Sequence, residues 1–288
     1  MNIKELIQES KLPQAEAETL LAFLMAKPRE FIIVHEKDIL APALIKKFKT
    51  AAKKRLDNWP LAYLTGHKEF YSLDFKVNKN VLVPRPETEM LVEILLKYAR
   101  QQKSGLDFLD IGTGSGAIII TLAHELKKEA DTLFDASSFL GLDISKPALT
   151  VARQNAKNNN LNKKIAFLES NLLQNIPKKS LKNSHLIIAA NLPYLTPKQT
   201  SEEPSIRREP KLALEGGPDG LKYYRQLFKQ LKAINPSSLF LICEINPEQA
   251  DGIKLEAQKI WLKARLKIVK DLSGRKRFLT VSQTNIHQ

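Results

Sequence analysis

The chain has very few of the groups on which several classes of protein depend. Cys243 is the single cysteine among 288 residues, which excludes an intrachain disulfide and a cysteine-based zinc site. It lies inside an apolar run, so a buried thiol is expected rather than a nucleophile. No apolar run approaches the roughly 18 residues that a membrane span requires. The amphipathic N-terminus does not resemble a signal peptide, and a reducing cytoplasm is therefore expected.

Composition and charge are those of a globular protein with an uneven positive surface. Hydrophobic residues make up 43% of the 288 residues and charged residues 26%, which is ordinary for a globular chain of one or two domains. Nearly all of the net charge of +14 lies after residue 75. That charge favours an acidic protein or a nucleic acid as a partner, although solvated surface lysines explain it equally well.

The hydrophobic pattern changes twice along the chain. Apolar residues recur at helical spacing up to residue 66, which predicts an all-helical N-terminal domain. Residues 67–85 are predicted to form a β-hairpin linker that turns at Asn78–Asn80. From residue 86, strands alternate with helices, which predicts an α/β domain with a mostly parallel sheet and helices on both faces. The last two strands have no helix between them and predict an antiparallel pair at one edge.

The same pattern gives the bounds of the elements in the second domain. Strands are predicted at 106–111, 138–143, 165–169, 185–190, 238–244, 265–270 and 277–282. Helices are predicted at 87–101, 115–128, 146–158, 219–233 and 247–262. Residues 192–218 show little periodicity and are predicted to form a lid or a substrate-binding loop. Asp219 is expected to cap the helix that follows them.

A polar turn ends one of the predicted buried strands. The turn consists of Asn191, Leu192, Pro193 and Tyr194. The Asn191 side chain and an outward-facing Leu192 carbonyl can accept both hydrogens of an –NH2 group, while the Tyr194 ring offers a flat face to that group. An ordinary proline turn with a capping asparagine would explain the same residues.

A glycine-rich loop lies between the first predicted strand of the sheet and its helix. It contains Gly112, Thr113, Gly114, Ser115 and Gly116. The G-x-G-x-G spacing differs from the G-x-G-x-x-G of dinucleotide folds and is a weak signal by itself. Asp110, just before the loop, disfavours a phosphate and suits an ammonium group. It therefore favours S-adenosylmethionine over NAD.

Asp143 ends the next predicted strand, where its carboxylate can accept hydrogen bonds from both hydroxyls of a ribose. Capping of the following helix is the alternative role, although Ser145 can serve as that cap instead. In the usual strand order of doubly wound sheets the first and fourth strands are neighbours. The glycine loop and the Asn191–Tyr194 turn are therefore expected to face one cleft.

Several segments resemble the HemK-type protein-(glutamine-N5) methyltransferases, over nearly the whole chain. Gly66–Ser72 resembles the family's G-x-x-E-F-[WY]-S linker, and Val83–Glu89 resembles its I-P-R-P-[DE]-T-E segment. Asp110–Gly116 is similar to the cofactor loop, Asn191–Tyr194 to the N-P-P-Y motif, and Glu209–Gly220 to the substrate loop. N-x-P-Y also occurs in adenine-N6 methyltransferases, so the other segments give the resemblance its specificity.

The resemblance implies a class I methyltransferase (Rossmann-like) domain at residues 86–288 and a helical substrate-docking domain at residues 1–66. It implies methyl transfer from S-adenosylmethionine to the side-chain amide nitrogen of the glutamine in the Gly-Gly-Gln motif of peptide chain release factors. We expect a monomer that needs no metal, membrane or nucleic acid. The implied cofactor-binding residues are Asp110, Gly112, Thr113, Gly114, Ser115, Gly116, Asp143, Asn171, Leu172 and Asn191. The implied catalytic and substrate-binding residues are Asn191, Leu192, Pro193 and Tyr194, with Arg85 added for substrate binding.

Two positions depart from the family pattern. Leu192 replaces the first proline of N-P-P-Y, but it keeps the backbone carbonyl that the family uses. Asn171-Leu172 stands where the family often has Asp-Trp. Asn171 can still accept a hydrogen bond from the adenine amino group, whereas Leu172 offers less stacking than tryptophan. A weaker affinity for the cofactor is therefore expected.

The expected chemistry is positioning and electrostatics, because no combination of His, Cys and Ser is available to activate an amide. Arg85 and Glu87 are expected to organise the entrance of the cleft, or to form a purely structural ion pair there. The alternative functions are an adenine-N6 methyltransferase on DNA or RNA and a ribosomal-protein glutamine methyltransferase. The glycine spacing disfavours a dinucleotide oxidoreductase. A non-catalytic assembly protein would leave the Asn191–Tyr194 turn unexplained.

Overall fold

A computed structural model describes residues 1–102, 104–129, 132–177, 181 and 185–284. The chain divides into two compact units. The first comprises Met1–His67 together with Glu203–Arg208, and the second comprises Lys68–Glu202 and Glu209–Gln288. No helix of the described residues is long and apolar enough to cross a lipid bilayer.

The first unit is a bundle of five helices. They are α1 (Ile3–Glu9), α2 (Gln14–Met25), α3 (Arg29–Val34), α4 (Pro42–Leu56) and α5 (Leu61–Thr65). Their shared core includes Ile3, Leu6, Leu20, Leu21, Ile32 and Phe48, all almost fully buried. Pro42 occupies the first turn of α4, where its missing N–H costs no hydrogen bond. The all-helical architecture predicted for this region is therefore confirmed.

A segment distant in sequence completes this first unit. Residues 203–208 belong to it although they lie in the long loop predicted after the fourth strand. Arg208 forms an ion pair with Asp57, and its guanidinium lies 5.6 Å from the centre of the Trp59 ring. The long loop also contains a short helix, Pro197–Glu202, that the sequence periodicity does not predict.

A two-stranded hairpin lies near the start of the second unit, but its turn is not where the sequence predicted it. The strands are β1 (His67–Phe70) and β2 (Leu73–Lys76). The turn falls at Tyr71 and Ser72, whose φ angles of 52° and 59° match the positive values that two-residue hairpins favour. Asn78–Asn80 does turn, closed by a 3.1 Å bond from the Val81 N–H to the Asn78 carbonyl, but the prediction that it is the turn of the hairpin was wrong. The segment after it forms no strand, and its Val83 N–H donates to the Glu209 carboxylate instead.

A seven-stranded sheet forms the centre of the second unit. Its strands are β3 (Asp107–Ile111), β4 (Ser138–Asp143), β5 (Ile165–Glu169), β6 (His185–Ala190), β7 (Ser238–Glu244), β8 (Arg265–Lys270) and β9 (Lys276–Thr284). Their spatial order is β5-β4-β3-β6-β7-β9-β8. Strands β3 to β7 are parallel, while β9 is antiparallel to both β7 and β8. The mostly parallel sheet with an antiparallel edge pair is confirmed.

Seven helices accompany the sheet within the described residues. They are α6 (Glu89–Ala99), α7 (Ala117–Lys128), α8 (Thr132–Ala136), α9 (Lys146–Asn158), α10 (Pro197–Glu202), α11 (Lys222–Ile234) and α12 (Ala250–Ile260). Alternate strand residues point to opposite faces, so Ile187 packs in a core with α6 and α7, whereas Ile188 packs in another with α11 and α12. The expected helices on both faces are confirmed.

The start of α11 corrects the cap expected at Asp219. The helix begins three residues later, at Lys222, and its N-terminal flanking residue is Leu221. The Asp219 carboxylate accepts a hydrogen bond from the Leu221 N–H at 3.1 Å and forms an ion pair with Arg225. Asp219 therefore supports the turn before the helix and does not cap the helix itself.

Candidate active site

A cavity lies at the carboxyl ends of the central parallel strands. Ile111 of β3 is level with Ala190 of β6, so the chain segments that follow these two strands leave the sheet side by side. The cavity brings together most of the sequence-predicted site residues: Arg85, Gly112, Thr113, Gly114, Ser115, Asp143, Asn171, Leu172, Asn191, Leu192 and Pro193. Asp110, Gly116 and Tyr194 belong to the same segments but do not line the cavity.

The glycine loop between β3 and α7 uses its own N–H groups internally. Gly112, Gly114 and Gly116 have φ angles of 75°, 54° and 81°, which favour glycine. The N–H groups of Gly112 and Thr113 both donate to the Leu142 carbonyl at 2.8 Å. The Gly114 N–H donates to Asp143 at 2.9 Å. A phosphate-binding loop aims such donors at its ligand, so this arrangement suits a ligand without phosphate.

Asp143 faces the cavity from the end of β4. Its carboxylate accepts hydrogen bonds from the Gly114 N–H and from the Ser145 N–H at 2.8 Å. Ser145 caps α9 through a 3.3 Å bond from the Ala148 N–H to its hydroxyl, so Asp143 is not needed as the cap. Burial raises the pKa of Asp143. The remaining lone pairs of its carboxylate are suited to accept hydroxyl groups of a ligand.

Asp110 lies beneath the glycine loop, away from the cavity lining where an ammonium group was expected to meet it. Its side chain is fully buried, and one oxygen accepts the Thr113 hydroxyl at 2.6 Å. Among the described residues, its other oxygen has no hydrogen-bond partner. Burial raises the pKa of Asp110 to about 7. Asp110 therefore supports the loop through Thr113.

The segment after β5 contributes Asn171 and Leu172 to the cavity. Leu172 is 7% exposed and belongs to a core cluster against which Tyr223 of α11 also packs. The Leu173 N–H donates to the Gln230 side chain of α11 at 2.8 Å, which ties this segment to that helix. Tyr223 lines the same cavity. No separate sequence signal marks Tyr223, because it lies within an ordinary amphipathic helix.

The turn after β6 is fixed from behind by polar groups of the second unit. The Leu192 N–H donates to the Tyr224 hydroxyl at 3.3 Å. The Tyr194 carbonyl accepts the Gln249 amide at 2.6 Å, and the Tyr194 hydroxyl donates to Glu244 at 3.4 Å. The cavity is lined by Asn191, Leu192 and Pro193. The Tyr194 hydroxyl does not face the cavity lining but takes part in this hydrogen-bond network.

Thr88 and Glu244 are site residues that sequence reasoning missed. The Asn191 side-chain amide donates to the Thr88 hydroxyl at 3.4 Å, and that hydroxyl donates to Glu244 at 2.8 Å. Glu244 is 1% exposed, and burial raises its pKa to about 7. An acidic residue at the end of the apolar run of β7 was the signal available, because buried carboxylates require partners.

Arg85 pairs with Glu209, which corrects the expected pairing with Glu87. Glu209 is 5% exposed, and it also accepts the Val83 N–H at 3.0 Å. Glu87 is exposed to solvent. The next residue after Glu209 is Pro210, which lines the cavity. The Arg85–Glu209 pair therefore holds the end of the long loop beside the cavity.

Known proteins match the chain along nearly its whole length. A family model described as "PrmC N-terminal domain" matches residues 2–66, and one described as "Methyltransferase domain" matches residues 102–280. The release factor glutamine methyltransferase of Moorella thermoacetica is 37% identical, over 92% of this chain and 89% of the relative. That of Bacillus subtilis is 32% identical, over 94% and 92%. The chain belongs to the release factor glutamine methyltransferase family.

Membership of this family makes the protein an S-adenosylmethionine-dependent methyltransferase. Its fold agrees, since the catalytic domain of hMettl16 in complex with a MAT2A 3'UTR hairpin gives a TM-score of 0.59 at 13% identity, over 92% of both chains. The predicted class I methyltransferase fold, enzyme class and methyl donor are confirmed. The donor fits the cavity, because the lining combines apolar side chains with the acceptors Asp143 and Asn171, and the N–H donors described in the glycine loop are used internally.

Proposed function

We propose that this protein methylates the side-chain amide nitrogen of the glutamine in the Gly-Gly-Gln motif of peptide chain release factors. The observation that carries the proposal is the position of Asn191 and Leu192 in the wall of one cavity with the glycine loop. A pair of hydrogen-bond acceptors beside the methyl donor suits a planar –NH2 group. The curated relatives cited above are named for methylation of release factor glutamine.

We assign the sides of the cavity to the two ligands. Asp143 would hold the ribose of the cofactor, Asn171 the adenine amino group, and Leu172 the face of the base. The glycine loop would pass under the remainder of the cofactor. Asn191 and Leu192 would hold the glutamine amide beside Pro193, and Arg85 would help to shape the entrance.

The chemistry we propose is positioning with electrostatic assistance. S-adenosylmethionine supplies a methyl group that its positively charged sulfur makes electrophilic. Asn191 Oδ1 and the Leu192 carbonyl accept the two amide N–H groups and increase the electron density on the nitrogen. As the new N–C bond forms, the methyl group leaves sulfur, and one amide proton is then released to solvent. A dedicated base is not required, because methylation makes that proton acidic.

We infer the roles of the domains, the oligomeric state and the cellular location from the release factor as substrate. Residues 1–66 would dock the release factor, residues 67–85 would link the two domains, and residues 86–288 would carry out methyl transfer. The enzyme would act as a monomer in the cytoplasm, where translation terminates, and would not require nucleic acid.

The test is to incubate the protein with isotopically labelled S-adenosylmethionine and a purified release factor, and to map the label by mass spectrometry. We expect one methyl group on the glutamine of the Gly-Gly-Gln motif. A release factor with that glutamine changed to asparagine is the matched control and should remain unlabelled. Parallel reactions with ribosomal proteins and with DNA or RNA test the two alternatives. Labelling of adenine, with a steep salt dependence, would contradict the proposal.

A further inference from the structure

Glu244 is connected to both proposed substrate acceptors, although it does not line the cavity itself. Its side chain is linked to Asn191 through Thr88, and its backbone carbonyl is linked to Leu192 through Tyr224. We propose that Glu244 is a positioning residue that orients the two acceptors toward the substrate amide. This inference rests on the proposed function, since it assumes that Asn191 and Leu192 hold that amide.

The side-chain branch fixes the orientation of the Asn191 amide. An ionised carboxylate only accepts hydrogen bonds, so the Thr88 hydroxyl must give its single proton to Glu244 at 2.8 Å. The Thr88 oxygen can then only accept from Asn191, at 3.4 Å. The Asn191 group next to Thr88 must therefore be the –NH2. Its oxygen remains as the acceptor available to a ligand in the cavity.

The backbone branch leaves the Leu192 carbonyl available. The Tyr224 hydroxyl has one proton, and the Glu244 carbonyl accepts it through a shorter bond than the 3.4 Å separation to the Leu192 carbonyl. The Tyr224 oxygen accepts the Leu192 N–H at 3.3 Å. Tyr224 is fully buried, so these bonds are not exchanged with bulk water. The Leu192 peptide is thus held by its N–H while its carbonyl can still accept a substrate hydrogen.

The charge on Glu244 controls the side-chain branch. Thr88 and Tyr194 face the Glu244 carboxylate and donate hydrogen bonds to it. The positive charge of Arg277 lowers the pKa of Glu244, while Glu87 raises it. Tyr224 also interacts electrostatically with Glu244. Burial is the largest influence and raises the pKa of Glu244 to about 7. Protonation frees the Thr88 hydroxyl to donate to the Asn191 oxygen, which permits the opposite amide orientation. Methyl transfer should therefore weaken as the pH falls through about 7.

Variants of Thr88 test this branch without changing the charge. Thr88→Val keeps the shape of the side chain but removes the hydroxyl, whereas Thr88→Ser keeps the hydroxyl. Thr121→Val is the matched control, because Thr121 is fully buried and its hydroxyl has no hydrogen-bond partner among the described residues. Each variant is assayed for kcat and KM on the release factor, for S-adenosylmethionine affinity by calorimetry, and for thermal unfolding.

We expect Thr88→Val to lower kcat about tenfold while cofactor affinity is kept, as for a lost positioning hydrogen bond. Thr88→Ser should recover most of that loss, and Thr121→Val should match the wild type. The decline of kcat below pH 7 should be present in the wild type and absent in Thr88→Val. Asp110 also has its pKa raised to about 7, but it is retained in Thr88→Val and so cannot account for such a difference.

Two outcomes separate failure of this inference from failure of the proposed function. Wild-type protein that methylates no release factor glutamine overturns both. Active wild type with a Thr88→Val variant equal to Thr121→Val, or with an unchanged pH profile, overturns the inference alone. If Thr88→Val does not fold, Glu244→Gln tests the side-chain branch in the same assays, because its amide can donate to the Thr88 hydroxyl as well as accept from it. A Glu244→Gln variant with wild-type kcat and the wild-type pH profile would contradict the role assigned to Glu244.

Discussion

The glycine loop after β3 and the Asn191–Tyr194 turn after β6 leave adjacent strands at the same level, yet they are held in different ways. The loop is shaped by its own positive φ angles and by bonds to the neighbouring β4 end. The turn is held by Thr88, Tyr224 and Glu244, which lie in three other segments of the chain. The loop thus depends on the conformations of its own glycines and on one neighbouring strand, whereas the turn depends on side chains from three distant segments.

Each region also rests on a buried carboxyl group, and the largest expected effect concerns the stability these groups confer. Burial raises the pKa of Asp110 from its ordinary value of 3.8 to about 7. A carboxyl group whose pKa is raised in the folded state makes its full contribution to the free energy of unfolding below about pH 4. That contribution is lost as the pH rises through about 7. The loss for Asp110 is up to about 4 kcal/mol over that window. Urea unfolding of the wild type and of Asp110→Asn at pH 4 and pH 8 measures it.

Glu244 differs from Asp110 because both of its carboxylate oxygens have partners, whereas one Asp110 oxygen has none within the part of the chain that the structure describes. Burial raises the pKa of Glu244 from 4.5 to about 7, so Glu244→Gln should remove a smaller pH-dependent loss of about 3 kcal/mol. An Asp110→Asn variant with the same pH dependence of unfolding as the wild type would show that the pKa of Asp110 is not raised in the folded protein.

The second prediction concerns the two proposed hydrogen-bond acceptors in the Asn191–Tyr194 turn. Asn191→Ala removes one of the two proposed acceptors and should lower kcat on the release factor by about 10²-fold or more, as for other preorganised polar groups. Affinity for S-adenosylmethionine should fall less, because Asp143, Asn171 and Leu172 are proposed to hold its ribose and adenine, and Asn191 is only one of several cofactor residues that the family resemblance implies. Calorimetry and steady-state kinetics measure the two effects separately. Near-normal turnover would remove the amide-holding mechanism.

The difference between the two regions explains what the sequence could predict. The glycine loop is a contiguous pattern between a strand and a helix, so its position beside the Asn191 turn followed from strand order. The partners of that turn come from the segment before α6, from α11 and from β7, and none of them shares a local motif with Asn191. Likewise, proximity in the sequence offers Glu87 as an alternative ion-pair partner of Arg85, whereas the partner in the structure is Glu209 in the long loop. Periodic patterns in a single sequence indicate local helices and strands, but they do not indicate which distant segments contact one another.

The third prediction tests whether local backbone geometry is what holds the glycine loop. Gly112 has a φ of 75°, which an alanine adopts only with backbone strain. A Cβ added there by Gly112→Ala would also lie 3.2 Å from the Leu192 side chain and crowd the Asn191–Tyr194 turn. We expect about a tenfold loss of S-adenosylmethionine affinity, corresponding to roughly 1.4 kcal/mol.

Gly274→Ala is the matched control for this strain. Gly274 lies in the turn between β8 and β9 and has a φ of 79°, but no atom of the described residues lies within 4 Å of an added Cβ. This variant should lose stability without losing cofactor affinity. Equal cofactor affinity in Gly112→Ala and in the wild type would mean that the loop tolerates a side chain, and that its glycines are not required for binding.

The smallest expected effect concerns Leu172, which is proposed to hold the face of the adenine base. Leu172 lines the cavity and, with a φ of 55°, already occupies a left-handed conformation, so Leu172→Trp adds no new class of backbone strain. An indole ring stacks on a base better than a leucine does. We therefore expect S-adenosylmethionine affinity to rise a few-fold, measured by calorimetry, with Leu172→Met as the control of similar size. Tighter binding in both variants would indicate a packing effect, and unchanged affinity in Leu172→Trp would place the adenine elsewhere, for instance closer to Tyr223, which lines the same cavity.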